Sequence, residues 1–201
     1  MRKVLVFALA GWSGFFVMAV ELLSGRILAP SFGNSIYVWG AVITVFMLAL
    51  SVGYLLGGNF SVYSPSLRRL GALLIAAGIT TLPVVAFGNQ ALDWIFDHVD
   101  DPRYGSLLAS SLLFFVPTAI SGMVSPYAIR LLVTELHVSG KSAGAVYFVS
   151  TFGSAAGTIL TSFYLVLLLD VNEILLGMLA ASTCLGLLAL LFDAAEARPA
   201  A

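Results

Sequence analysis

The sequence predicts an all-α integral membrane protein built as a bundle of six transmembrane helices. Three observations predict it. Hydrophobic residues make up 60% of the 201, and Lys, Arg, Asp and Glu only 9%, against roughly 25% in soluble domains. Mean hydropathy is +1.04. The 19 charged residues leave six apolar runs, interrupted once, by Glu21, and each run is about 20 residues or longer, enough to cross a ~30 Å hydrocarbon core as helix. Barrel strands would be ~10 residues with strict alternation, which no run shows. A soluble fold of this size could not cover its surface with so few charges. Nine basic residues against ten acidic ones leave no basic field for nucleic acid. A single cysteine, Cys184, excludes a disulfide scaffold.

The first helix is expected over 4–24. Its start, MRKVLVFALAGWSGFFVMAV, contains an Ala8-Leu9-Ala10 triplet of the kind cleaved in signal peptides. Only about seven apolar residues precede that triplet and the hydrophobic run continues past it, so a retained helix is expected. The second helix, over 36–60, carries Gly53-x-x-x-Gly57 followed by Gly58. The third, over 70–92, leads into ALDWIFDHVDDP, where Leu92, Ile95, Phe96 and Val99 recur at the spacing of one helical face. This predicts an interfacial helix over about 91–99, with Trp94 at the membrane–water boundary. Asp97, His98 and Asp101 there suggest a metal site on paper, but a solvated acidic face is the simpler account, and no metal or other cofactor is expected.

The fourth helix, over 104–130, is interrupted by Pro117 and Pro126. Backbone groups freed at such breaks often line cavities, and Thr118, Ser121, Gly122, Ser125 and Tyr127 surround them. The fifth, over 142–169, carries Gly153-x-x-x-Gly157 and a small hydroxyl face of Ser150, Ser154, Thr158 and Thr161. The sixth covers 174–192, and 193–201 form a short tail. Small residues four apart let helix backbones approach closely in lipid, so Gly53, Gly57, Gly58, Gly153 and Gly157 are expected packing positions. The two motifs, each preceded by aromatics (Tyr37 and Trp39, Tyr147 and Phe148) and by an arginine (Arg26, Arg130), suggest two inverted three-helix repeats, as in transporters.

If the helices alternate, Arg2, Lys3, Arg68, Arg69, Arg130, Lys141 and Arg198 lie on one side, Arg26 and Arg103 on the other. Basic residues in short loops mark the cytoplasmic side, so both termini are expected there. Glu21 is the sharpest single residue, because an ionisable group at membrane depth is costly and points to function or to a fixed partner. The candidate partners are Arg26 and Arg130. Residues i and i+5 do not face one another on a helix, so Glu21 and Arg26 meet only if the chain unwinds near Ser24-Gly25. No nucleotide loop, zinc spacing or nucleophile–base set is present, and His98 and His137 fall on opposite sides of the membrane. An enzyme acting alone is not expected.

Three stretches carry a resemblance: ELLSGRILAPSFGNSIYVWGAVITV with its continuation VGYLLGG, then SGMVSPYAIRLL, then SAGAVYFVSTFGSAAGT. In this order and spacing they resemble the membrane domain of bacterial spermidine-synthase-like membrane proteins, over roughly residues 11–192. In that family a transporter-like bundle precedes a soluble aminopropyltransferase-type domain. The family pattern marks Glu21, Arg26, Pro30, Gly33, Ser35, Tyr37 and Trp39 in the first half. It then marks Gly53, Tyr54, Gly57, Gly58, Gly122, Pro126, Arg130, Gly144, Tyr147, Ser150, Thr151, Gly153, Ser154, Gly157 and Thr158. The chain departs from the pattern in ending at FDAAEARPAA, so aminopropyl transfer is not expected of this chain: either a separate soluble protein supplies it or the membrane module serves another purpose.

Taken with the resemblance, the expected solute-facing set is Glu21, Arg26, Tyr37, Trp39, Tyr54, Ser125, Tyr127, Arg130, Tyr147, Ser150, Ser154 and Thr158. The leading expectation is a non-enzymatic, transporter-like inner-membrane module for a small, polyamine-like cation, working with a soluble partner. The runner-up is a structural subunit that anchors an aminopropyltransferase-like enzyme or a larger membrane complex, and a homodimer is left open under either reading. The bilayer is the one partner composition alone requires.

Overall fold

A computed structural model describes residues 1–63, 65–133 and 139–196. Among them every regular element is helical, in six spans long and apolar enough to cross a membrane. Helix α1 (Arg2–Phe32) and α2 (Ile36–Val62) are each one span. The third span is α3 (Leu67–Ile79) followed by α4 (Leu82–His98), and the fourth is α5 (Pro102–Gly122) followed by α6 (Val124–Leu132). The fifth runs through α7 (Ser139–Leu160), a π-helical turn (Thr161–Leu165) and α8 (Val166–Leu168). The sixth is α9 (Val171–Glu196). The chain is a multi-pass membrane protein.

The breaks have local causes. Between α3 and α4 the Thr80 and Thr81 hydroxyls donate back to the carbonyls of Ala76 and Gly78, at 3.0 and 2.7 Å, and Pro83 starts the next helix. In the fourth span Pro126 has no N–H for the Gly122 carbonyl, and the helix breaks at Met123. Pro117 stays inside α5. Gly33 ends α1 in the left-handed region, φ 77°, where a side chain is disfavoured.

Some boundaries differ from expectation. Residues 91–99 do not form a separate surface helix, because α4 runs unbroken to His98. Its buried face, Val84, Gly88, Leu92 and Ile95, continues the third span with no breaking residue between. Helix α1 continues past Ser24 and Gly25 to Phe32, with Arg26 exposed rather than ending the span. Helix α9 takes in 193–196; residues 197–201, with Arg198, and His137 lie outside the described residues.

Three long pairings organise the bundle. Helix α1 runs parallel to α7, α2 parallel to α5 and α6, and α3 antiparallel to α9. The glycine motifs sit in the first two. A Cβ on Gly57 would come within 2.5 Å of the Met123 carbonyl oxygen, and one on Gly157 within 2.5 Å of the Phe15 carbonyl oxygen. Gly53 meets the backbone of Ala119 in the same way, and Gly153 that of Gly11. Gly14 faces the Ser150 carbonyl, as Gly122 faces that of Leu50. The contacts of α1 with α7 are therefore repeated, position for position, by α5–α6 with α2. Gly58 is the exception, with no atom near its missing side chain: one residue past Gly57, it turns ~100° away from the contact.

Two sites fix the centre of this relation. Ser13 Oγ donates to the Ser121 carbonyl at 2.9 Å and lies 3.0 Å from Ser121 Oγ, while Ser121 Oγ donates back to the Ser13 carbonyl at 3.5 Å. Gly71 and Gly186 likewise abut each other where α3 crosses α9. The halves are inverted three-helix repeats, but the aromatic and arginine cues are not their mates. Tyr147 corresponds to Met47 in the glycine register, and Arg130 corresponds to Leu22 in the serine register.

Candidate functional site

A cavity of about 80 Å3 lies on the Ser13–Ser121 contact, where α1, α2, α5, α6 and α7 meet. All of its wall but Met18 comes in mates: Ser13 with Ser121, Gly14 with Gly122, Val17 with Ser125, Leu50 with Ser150, and Tyr54 with Ser154. Each helix brings residues three or four apart, which places them on one face. The wall therefore carries five serine hydroxyls and one phenol. It also holds Gly122, whose carbonyl loses its helical donor to Pro126. Ser154 Oγ donates to the Gly14 carbonyl at 3.2 Å, and Ser125 and Ser150 Oγ lie 3.5 Å apart. The volume accommodates several waters or one small ion.

Glu21 extends this site outward. It lies seven residues past Gly14 and four past Val17, on the helix face that lines the cavity. An inverted repeat has its two-fold axis in the membrane plane, so Ser13 marks mid-depth. Glu21 is eight residues beyond, ~12 Å, still inside a hydrocarbon half-thickness of ~15 Å. In the α1–α7 register it stands opposite the π turn Thr161–Leu165, a local form frequent at functional sites. Thr161 Oγ1 is buried there with no hydrogen-bond partner among the described residues, and a buried polar atom left unpaired calls for a reason. Thr158, one turn nearer the cavity, donates to the Ser154 carbonyl at 3.0 Å.

Among the described residues no ion pair holds Glu21. Helix α1 does not unwind at Ser24-Gly25, so Arg26 points away from it and donates instead to the Val166 carbonyl at 3.3 Å. Arg130 is exposed near the end of α6, at the opposite end of the bundle. Neither expected partner therefore reaches the carboxylate.

Comparison of the chain with protein-family models, curated proteins and solved structures finds no match.

Of the expected residues, Tyr54, Ser125, Ser150 and Ser154 line the cavity, and Glu21 and Thr158 stand beside it. The others do not converge. Tyr127 is fully buried, and its hydroxyl accepts the Ser66 N–H at 3.1 Å just ahead of α3, a structural contact. Trp39 donates to Asn34 Oδ1 at 2.6 Å and fills the space left by Gly25, where a Cβ would come within 2.6 Å of its ring. Tyr37 is exposed under the Arg103 guanidinium, 5.8 Å from its ring centre, and Tyr147 is exposed on α7. The imagined metal set is also dispersed. His98 stacks on Trp94, and Asp101 binds Arg103, with Nη2 to Oδ2 at 2.6 Å. Ser13 is the residue the sequence left unmarked. Its signal was the cluster of small residues Gly11, Ser13 and Gly14 around Trp12 in the first span.

Proposed function

We propose that this chain is a non-enzymatic, transporter-like module of a bacterial inner membrane, with both termini cytoplasmic, that handles a small cation. The cavity on the repeat axis carries this reading, because transporters built from inverted repeats bind cargo near mid-depth at the repeat junction. Hydroxyl and carbonyl oxygens suit a hard monovalent cation or a single ammonium group. The unpaired Glu21 carboxylate supplies a compensating charge on the outward side. At about 80 Å3 the cavity takes one ammonium-sized group, so a polyamine enters it only end first. The likeness to spermidine-synthase-like membrane proteins favours an amine over a metal ion, and it favours a soluble aminopropyltransferase-like partner.

Proteoliposome uptake of methylammonium, spermidine, Na+ and K+ tests the proposal. Wild type should accumulate at least one amine, and Glu21→Gln should lose uptake while melting like wild type. Absence of uptake and binding for all four, or an unchanged Glu21→Gln variant, overturns it.

One observation favours the anchoring alternative. The fifth span buries only 11% of its most apolar window inside the bundle, against 56% for the fourth, and Tyr147, Phe148, Phe152 and Phe163 stand exposed along it. A stable complex recovered in mild detergent through that face, without amine uptake, would select the anchoring role.

A further inference from the structure

A second site lies on the other side of α1. Arg26 and Pro30 of α1, Asn89 of α4, and Asp170, Asn172 and Glu173 at the start of α9 line an open polar cavity of about 430 Å3. Arg26 is five residues past Glu21, ~140° around the helix, so this cavity is separate from the one on the repeat axis. Glu173 also lines an adjoining cavity of about 170 Å3, whose other walls include Trp12, Phe15, Leu165, Ile174 and Met178. Because Glu173 lines both, the two are taken together as the α1–α9 groove, charged at its outer end and apolar toward mid-depth. Arg26 is 13 residues from Ser13, ~20 Å from mid-depth, which is the level of lipid head groups.

The opposite charges in the outer cavity form no close ion pair with one another. Arg26 Nη1 donates to the Val166 carbonyl at 3.3 Å, Glu173 Oε2 accepts the Asp170 N–H at 2.9 Å, and no ion pair joins the guanidinium to either carboxylate. Opposite charges held apart in one cavity suit a ligand that carries both. The apolar groove below suits a ligand with a chain. We propose that the α1–α9 groove binds a phospholipid whose head group carries a phosphate and a primary ammonium. Arg26 takes the phosphate through its planar donor fork, and Asp170 and Glu173 take the ammonium. One acyl chain runs past Phe15 and stops at Trp12, whose Nε1 donates to Ser182 Oγ at 2.8 Å and ties α1 to α9. One cation and two carboxylates repel an anionic head group that lacks an amine. A choline group is accepted less well, because it has no N–H to donate.

Native mass spectrometry of the full chain, delipidated in mild detergent and titrated with phosphatidylethanolamine, phosphatidylcholine or phosphatidylglycerol, tests this. Phosphatidylethanolamine should be retained about tenfold better than phosphatidylglycerol, with phosphatidylcholine between. Arg26→Gln and Asp170→Asn should each bring the lipids close to parity, and free phosphoethanolamine should not compete. Equal retention of the three lipids in wild type, or a preference for phosphatidylglycerol, overturns the proposal, as does selectivity that survives in both variants. Full competition by phosphoethanolamine also overturns it, since the site would then take a soluble zwitterion.

Discussion

The contact of α1 with α7 and that of α2 with α5–α6 are built alike and furnished differently. In both, glycines four residues apart lie against the partner's backbone, Gly53 and Gly57 in one, Gly153 and Gly157 in the other. Around the shared cavity, however, Val17, Leu50 and Tyr54 on one side answer Ser125, Ser150 and Ser154 on the other. Where backbone touches backbone only glycine fits, so the two halves agree. Where side chains face open space, sterics impose nothing, and the halves are free to differ. The cavity thus joins a largely apolar wall to a hydroxyl wall, an asymmetry the packing does not require.

The largest test of this comparison is steric. Gly57→Leu and Gly157→Leu each force a side chain into a carbonyl 2.5 Å from the new Cβ, so each should lose about 3 kcal/mol or more. Their melting temperatures in detergent should fall by similar amounts, while Gly58→Leu, with open space around it, should melt like wild type. Unequal losses would break the equivalence of the two contacts. Next, Ser154→Leu should fill the cavity and abolish amine uptake, whereas Leu50→Ala should leave uptake intact. The reverse result would place the working wall in the first half.

A smaller effect is expected on the axis itself. Ser13→Ala and Ser121→Ala should each lose about 1 kcal/mol. The double variant should lose less than the sum, since both side chains serve one contact; strict additivity in a double-mutant cycle would separate them. The smallest effect concerns the Asp101 cap at the start of α5. The hydrogen bonds and charge of Arg103 hold the Asp101 carboxyl below the usual carboxylate range. Its contribution is therefore present above the unfolded value of ~3.9 and is lost as pH falls through the lower folded value. Asp101→Asn should melt slightly below wild type at neutral pH, and the gap should close on acidification.

Much of the architecture could be read from residues alone, because long apolar runs separated by charges admit one solution in lipid. The glycine motifs were legible for the same reason; of the cavity residues, Ser150 and Ser154 stand beside the second motif and Ser121, Gly122 and Ser125 beside the prolines, whereas Tyr54 was marked by the family resemblance. Gly58 was misjudged because composition does not say which way a glycine points. The surface helix over 91–99 was misjudged because a helical face looks the same whether it rests on the membrane or continues a span. Ser13 was missed because a lone serine in an apolar run has no meaning until its partner, 108 residues away, is known.

The sequence by itself determined that this protein lies in a bilayer, crosses it six times, and keeps one carboxylate within it, since hydropathy and charge are local quantities. Only the tertiary structure decided what those helices touch. It put Ser13 against Ser121 and so set the axis of the two halves. It turned Arg26 away from Glu21 and left the carboxylate without an ion-pair partner among the described residues. Those outcomes depend on helix rotation, where one residue is a turn of ~100°, and rotation is decided by close packing between segments that are distant in the chain.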